Sequence, residues 1–385
     1  ISLIGIFAIS SCKKEPKTND VVPTGVVKGR VLATNGTTGV GAVSVFVNFN
    51  GELYYTQTNS NGHFSLNAPV GKQIIHFQSG KGNMFRSQLE ITVIEKGEVT
   101  IPNGTIKLNQ VANLAYISGA YDQIETIIID SLNYTATQIS VNDLSSYANI
   151  SNYTAIFLNG GKSGNLDSTM YANLYQFVLN GGSIYASDWA VEYLTGDGNN
   201  KNQNHDRRNH ICNHDAHNKT CTPKIGGFIH DSLLCTQKQG SSGIVTGAQI
   251  LSVDIQTFLN KTSIDVEYDL GAWEVIKVLG NIWEVMVVDN TQNYGPLAIR
   301  TTLSSNNKNL QTSNWTTICY TPTGSTASVT VTIPNSQLSV YLANGATLGS
   351  CTGNAGTILF TTFHNHPYGH VDPDVQKILE YFILN

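Results

Sequence analysis

Apolar and polar positions alternate with period two through the first part of the chain. Val26–Val31, Gly41–Val47, Tyr54–Thr58, Gly62–Leu66 and Gln73–Phe77 each read as a short strand, with Gly, Asn, Ser and Pro turn signals between them. No helical period intervenes, so residues 25–110 predict a small β-sandwich. From residue 111 the pattern changes. Leu114–Ser118 predicts a strand and Gln123–Leu132 a helical stretch, and Ala155–Leu158 predicts a buried strand ending in Asn159-Gly160-Gly161. Asp167-Ser168 cap a helix that carries Leu174, Phe177 and Val178 on one face, and Gly181-Gly182 stop it. Ser183–Ser187 is the next strand and leads into Asp188-Trp189. Thr357–Phe363 is a further strand, followed by His364-Asn365-His366-Pro367 and a last helix. That helix has Asp372 as N-cap, Pro373 in its first turn and Val375, Ile378, Leu379 and Phe382 as its apolar stripe. Strands alternating with helices predict an α/β domain over 111–385, with a parallel sheet covered on both faces. Two insertions interrupt it. One, at about 197–240, is rich in Asn, His and Cys; the other, at about 303–355, is rich in Thr, Ser and Asn and alternates as strands at Ser328–Ile333 and Gln337–Leu342.

Composition narrows the functional classes. The 385 residues carry 22 Lys+Arg against 27 Asp+Glu, a formal charge of −5, and only 13% are charged. A weakly acidic chain without a basic stripe lacks the electrostatic footprint of a nucleic-acid binder. Asn fills much of the gap, with 39 residues. The apolar opening Ile1–Ile9, followed by Ser10-Ser11-Cys12, reads as the remnant of a signal peptide ending in a lipobox, with Cys12 as the lipidated residue. A polar tether, residues 13–24, follows. This predicts an exported protein anchored to the outer membrane by lipid and facing outward, a compartment that permits disulfides. Cys319 and Cys351 flank one Thr/Ser-rich stretch and are expected to pair; Cys212, Cys221 and Cys235 leave one bridge and one thiol, with Cys212 and Cys221 as the first candidates.

Particular motifs resemble known families. Gly29-Arg30-Val31, the Thr58–Phe64 turn and strand, and Pro69-Val70-Gly71 resemble a carboxypeptidase-regulatory-like (transthyretin-like) domain. That resemblance implies a spacer or adhesion unit without chemistry. Gly181–Trp189, Asp265–Leu270 with Trp273, and Phe360–His366 resemble the glutamine-amidotransferase-like (ThuA-like) superfamily, which implies a flavodoxin-like sheet. In that superfamily the turn after the strand matching Ser183–Ser187 carries a Cys nucleophile, and the last strand ends in Phe-His-Pro-Glu. Here Phe363-His364 begins that motif, Asn365-His366 replace its end, and no Cys stands near Ser187. Without a thiolate the amidotransferase reaction has no nucleophile. Lys13-Lys14-Glu15 behind Cys12 resembles the export signals of Bacteroidetes surface lipoproteins.

Candidate chemistry gathers at predicted strand ends, where open α/β sheets bind ligands. Ser187 with His364 forms one possible hydrolytic pair. Asp188 with His364, His366 and His370 offers a donor set for Zn²⁺ or another divalent ion. His210, His214 and His217, at i, i+4 and i+7, offer a second set, with Cys212 or Cys221 adding sulfur. The competing readings are hydrogen-bonded strand ends without chemistry and a loop stapled by a disulfide. The expectation is therefore a surface lipoprotein whose α/β domain is catalytically degenerate and works in binding or assembly, with a glycan, a protein partner or copies of itself. The rival is a metal-assisted or Ser/His hydrolase acting on carbohydrate or amide bonds. Anchoring has a direct test: Cys12→Ser should move the protein from the membrane pellet to the soluble fraction, as followed by immunoblotting.

Overall fold

In the computed structural model, the described residues are 22–79, 84–161, 166–197, 225–229, 233–303, 311–312, 315–322, 325, 327–348, 351, 356–365 and 373–384. The period-two segments near the start form two facing sheets. Thr24–Leu32 lies between His63–Pro69 and Glu98–Lys107 in one. The other runs Glu52–Gln57, Ser44–Phe49, Gly71–Ser79, Phe85–Val93 and Asn109–Gln110. Val27, Val31 and Leu66 from the first sheet and Val45, Val47, Ile75 and Phe77 from the second fill the space between them.

The chain then builds a nine-stranded sheet. Its order is Thr137–Ile139, Leu114–Ile117, Ala155–Leu158, Ser183–Ser187, Gly356–Thr361, Gly295–Leu303, Glu284–Asp289, Gly243–Ile250 and Ser263–Tyr268. The first five strands are parallel; four of them are the strands the sequence predicts, and Thr137–Ile139 is an addition. The remaining four are antiparallel, so the sheet is mixed. Helices cover both faces. On one side Met170, Leu174, Phe177 and Val178 of Ser168–Leu179 pack with Ile156, Leu158 and Ile184. On the other, Val375, Ile378 and Leu379 of Pro373–Leu384 join Phe157, Tyr185 and Leu359. Asp167 caps its helix as expected, its carboxylate accepting from Met170 N at 2.9 Å. The Gln123–Leu132 stretch is helical but winds tightly and then widely, with an α turn at Ile124–Thr126 and a π turn at Ile127–Ser131.

The second insertion departs most from expectation. Trp315–Tyr320 and Val329–Pro334 pair as strands, but Leu338–Ala343 is a helix. Leu338 and Tyr341 stand three residues apart, a helical spacing that brings both to one apolar cluster. This small unit lies on the outer face of the sandwich. Phe46 and Leu53 share a core with Ile318, Tyr320, Val331, Ile333 and Tyr341. That contact explains why Val45, Phe46 and Val47 are all buried: one face meets the sandwich core and the other meets the insertion. Gln78 closes the seam. Its Nε2 donates to Thr332 O at 2.6 Å, and its Oε1 accepts from Thr332 N at 2.9 Å. The side-chain amide thus pairs with the strand edge as another strand would. An insertion expected to be free for edge-to-edge assembly has that register position occupied by its own chain.

Cys319 and Cys351 form the expected disulfide. Closing a loop of 32 residues is worth about 3–4 kcal/mol in the chain-entropy account. Cys235 is also disulfide-bonded, so it is not the leftover thiol of the cysteine count. Cys12, Cys212 and Cys221 lie outside the described residues.

His76 sits in the seam, stacked on Phe46 with centroids 5.1 Å apart and edge-on to Trp315. Burial, with Arg86 nearby, pushes its imidazole down to about 4. The unfolded chain therefore takes up a proton before the folded one does. Stability is fully present above pH 6.5 and declines as pH falls toward 4, by about 3 kcal/mol at most. Urea melts at pH 7 and pH 4.5 should show this decline, and His76→Phe should flatten that part of it. Gln78→Leu removes both hydrogen bonds to the Thr332 backbone and should cost about 1–3 kcal/mol in the same assay.

Candidate functional site

Four parallel strands end on one side of the sheet, and their carboxyl ends supply the core of the candidate site. Ser187 closes its strand, and Asp188 begins the turn into the helix Glu192–Thr195. Asp188 has φ +44°, a left-handed conformation that costs a non-glycine residue of order 1 kcal/mol. His364 and Asn365 follow Gly356–Thr361, Asn159 and Gly160 follow Ala155–Leu158, and Asp122 lies beyond Leu114–Ile117.

Asp122, which the sequence pattern does not single out, is the centre of this cluster. It is buried, Ser187 Oγ donates to its Oδ2, and Asn365 N donates to its Oδ1 at 3.0 Å. Ser187 Oγ also accepts from Gly160 N at 3.1 Å. One carboxyl group therefore ties together segments from all four strands. Burial raises its pKa, partly offset by His364 and by the hydrogen bonds from Ser187 and the Asn365 and Gln123 amides. The arrangement also gives a reason for Asn at 365, where the resembled motif has Pro: proline has no N–H to donate to Asp122. Asn365 Nδ2 further donates to Gln123 O and Thr126 Oγ1, both at 2.8 Å, which fixes the start of the helical stretch. The available sequence signal for Asp122 is its place between a predicted strand and a predicted helix, where capping carboxylates gather.

The Ser187–His364 pair does not form. The Ser187 hydroxyl donates to Asp122 and is fully buried, with no bond to imidazole. His364 instead faces Asp269, with Nε2 3.6 Å from Oδ1. Burial alone would lower its pKa, but Asp269, Asp122 and Asp188 together raise it. Asp188 is 1% exposed, and its Oδ1 accepts from Glu274 N at 2.7 Å. Burial pushes its carboxyl up to about 8, against the opposing influence of His364 and the Glu274 amide. Burial thus shifts Asp188 toward its neutral form, a poor state for attack on an electrophile.

His366, His370, His210, His214 and His217 lie outside the described residues. Among the described residues no group of three or more potential ligands could hold a metal ion.

Tyr121 and Trp189 form a partly exposed aromatic rim beside the buried cluster, and Tyr268 and Trp273 are buried. The ring of Tyr121 meets Trp189 edge to face at 4.6 Å, and Lys238 Nζ stands 3.2 Å from the centroid of Trp189. Tyr268 stacks on Trp273 at 3.8 Å and donates or accepts at Thr362 Oγ1 over 2.7 Å.

No protein-family model matches the chain, and no curated protein matches it. Among solved structures the chain is similar to the Bacillus anthracis TIE protein at 14% identity and a TM-score of 0.20, covering 26% of this chain. It spans only 19% of the length of that protein. It is also similar to a protein from Thermoplasma acidophilum described as part of a GMP synthase, at 9% identity and a TM-score of 0.36, over 71% of this chain and 94% of that one. A protein described as ThuA-like from Bacteroides uniformis matches at 11% identity and a TM-score of 0.29, over 49% and 76%. At these scores the likenesses carry no function across.

Asp188 offers a signed test. Its folded pKa is above the unfolded value, so the folded state holds a proton that the unfolded state loses, and stability falls as pH rises from about 4 to about 8. Asp188→Asn keeps the acceptor for Glu274 and removes the titration. The variant should be more stable than the parent at pH 8, with the difference shrinking toward pH 4, as read by thermal melts. Asp122→Ala, by contrast, should destabilise the fold by about 2–4 kcal/mol at any of these values, because it strands the groups the carboxyl holds.

Proposed function

We propose that this protein is a lipid-anchored cell-surface binding protein, with a carboxypeptidase-regulatory-like sandwich as spacer and a catalytically degenerate amidotransferase-like α/β domain that recognises carbohydrate. One observation carries the reading. Asp188, at the strand-to-helix turn, is buried and accepts from Glu274 N, and the Ser187 hydroxyl beside it donates to Asp122, an arrangement that supports a structural role over a nucleophilic one. Neutral Asn, Thr, Ser and Tyr side chains, abundant along the chain, are the hydrogen-bonding groups that sugar hydroxyls match. The insertion, packed on the sandwich, favours binding over self-assembly through that sheet.

A second reading rests on the same turn. Asp188 has a strained backbone and a raised pKa, two features that concentrate at active sites, and a protonated carboxyl is a proton donor. That reading makes the protein a hydrolase of carbohydrate or amide bonds.

One experiment separates them. The purified full chain should bind immobilised neutral polysaccharide and release no reducing ends or free amine from oligosaccharide and peptide mixtures over a day. Release that disappears in Asp188→Asn would establish the hydrolase. Absence of any polysaccharide binding would remove the binding proposal.

A further inference from the structure

The rim above the buried cluster has the makings of a sugar-stacking platform, and its construction explains why Tyr121 is where it is. Tyr121 stands at the point where the chain leaves Leu114–Ile117 for Thr137–Ile139 on one side, while Ala155–Leu158 lies on the other. At such a switch point two strand-end loops diverge and open a crevice. Here the loops are pinned together. Ala120 N donates to Gly161 O at 3.1 Å, and Tyr121 N donates to Gly160 O at 3.2 Å. The approach depends on glycine. A Cβ at Gly119 would lie 2.0 Å from Gly160 O, and one at Gly161, where φ is +82°, would lie 2.5 Å from Cδ2 of Tyr121. The phenol ring therefore rests against a backbone turn with no side chain beneath it. It remains 36% exposed although Trp189 supports its edge.

A large aromatic ring held rigidly and left exposed loses little entropy on binding and offers an apolar face. The neighbouring polar groups are donors. Lys238 brings an ammonium group over Trp189, and the indole Nε1 of Trp189 is buried with no acceptor among the described residues. Asp269 and Glu274 flank the buried acid and imidazole, and they oppose an anionic ligand. A pyranose ring fits the exposed groups: a C–H face for Tyr121, a hydroxyl oxygen for the Lys238 ammonium, and no negative charge to meet Asp269 and Glu274.

We propose that Tyr121, Trp189 and Lys238 form a subsite for a neutral sugar ring, with Tyr121 as the stacking surface. This rests on the carbohydrate reading of the α/β domain and names where in it the sugar sits. Occupation changes the surroundings of the Trp189 indole, so the subsite reports its own filling through tryptophan fluorescence.

The test titrates the full chain with neutral hexose and pentose oligosaccharides, following both fluorescence and retention on the matching immobilised polysaccharide. Tyr121→Ala and Lys238→Ala are compared with the parent and with Tyr121→Phe. The result expected is binding by the parent, about tenfold weaker binding by Tyr121→Ala, weaker binding by Lys238→Ala, and near-parental binding by Tyr121→Phe. Both alanine changes are at exposed side chains, and thermal melts matching the parent confirm that they fold. Parental binding retained by both alanine variants overturns the subsite while leaving the carbohydrate reading in place. No binding by the parent overturns both. Preference for uronic-acid oligosaccharides over neutral ones overturns the neutral-sugar assignment.

Discussion

The carboxyl group of Asp122 is the constraint on which the working end of the α/β sheet depends. Parallel strands end with backbone groups facing solvent or loops, and four separate loops must be held in register if they are to present anything. A single buried acid accepts from Ser187 and from the Asn365 amide, and Ser187 in turn accepts from Gly160. Each bond is worth about 1 kcal/mol net, but breaking the set leaves several buried groups unsatisfied at once. The cluster is therefore cooperative. It also decides the chemistry, since a serine that donates into a carboxyl is not available to an imidazole.

The same logic separates what was legible in the sequence from what was not. The parallel strands were readable because each is a short apolar run bounded by glycine or a polar turn, as at Ala155–Leu158 and Ser183–Ser187. The cap at Asp167 was readable because its partner lies three residues away. Asp122 was not readable, because its partners Ser187 and Asn365 are 65 and 243 residues distant. Pattern and propensity describe local preference, and this site is built from long-range contacts. The helix at Leu338–Ala343 failed for a related reason. Its residues alternate as a strand would, and the neighbouring cluster selects the three-residue spacing of Leu338 and Tyr341 instead. The antiparallel half of the nine-stranded sheet was not legible as strands; bulges at Val245–Ala248 and Val285–Val288 break the alternation there.

The low charge density takes on a structural meaning. Where chain meets chain across the seam, amides and hydroxyls do the pairing: Gln78 with Thr332, Tyr341 with Asn48, and Asn344 Nδ2 with Gly51 O at 2.8 Å. Neutral groups can be buried in such a seam at far lower desolvation cost than ions. Gln78 and Thr332 are buried there, so part of the neutral amide and hydroxyl content is internal mortar.

Gln78 and Thr332 are separated by 254 residues, and this has a consequence for how the chain must be made. The face of the sandwich carrying Phe46, Leu53 and His76 has no cover until the strand Val329–Pro334 has emerged and folded back. During synthesis the first module exists for most of the chain's length as a sheet with one finished face and one sticky one. Contacts of such long range close slowly. A cell producing this protein thus has reason to shield that face until the strand Val329–Pro334 has been made. The sandwich, although it looks like a detachable bead at the start of the sequence, is completed only by residues near the end.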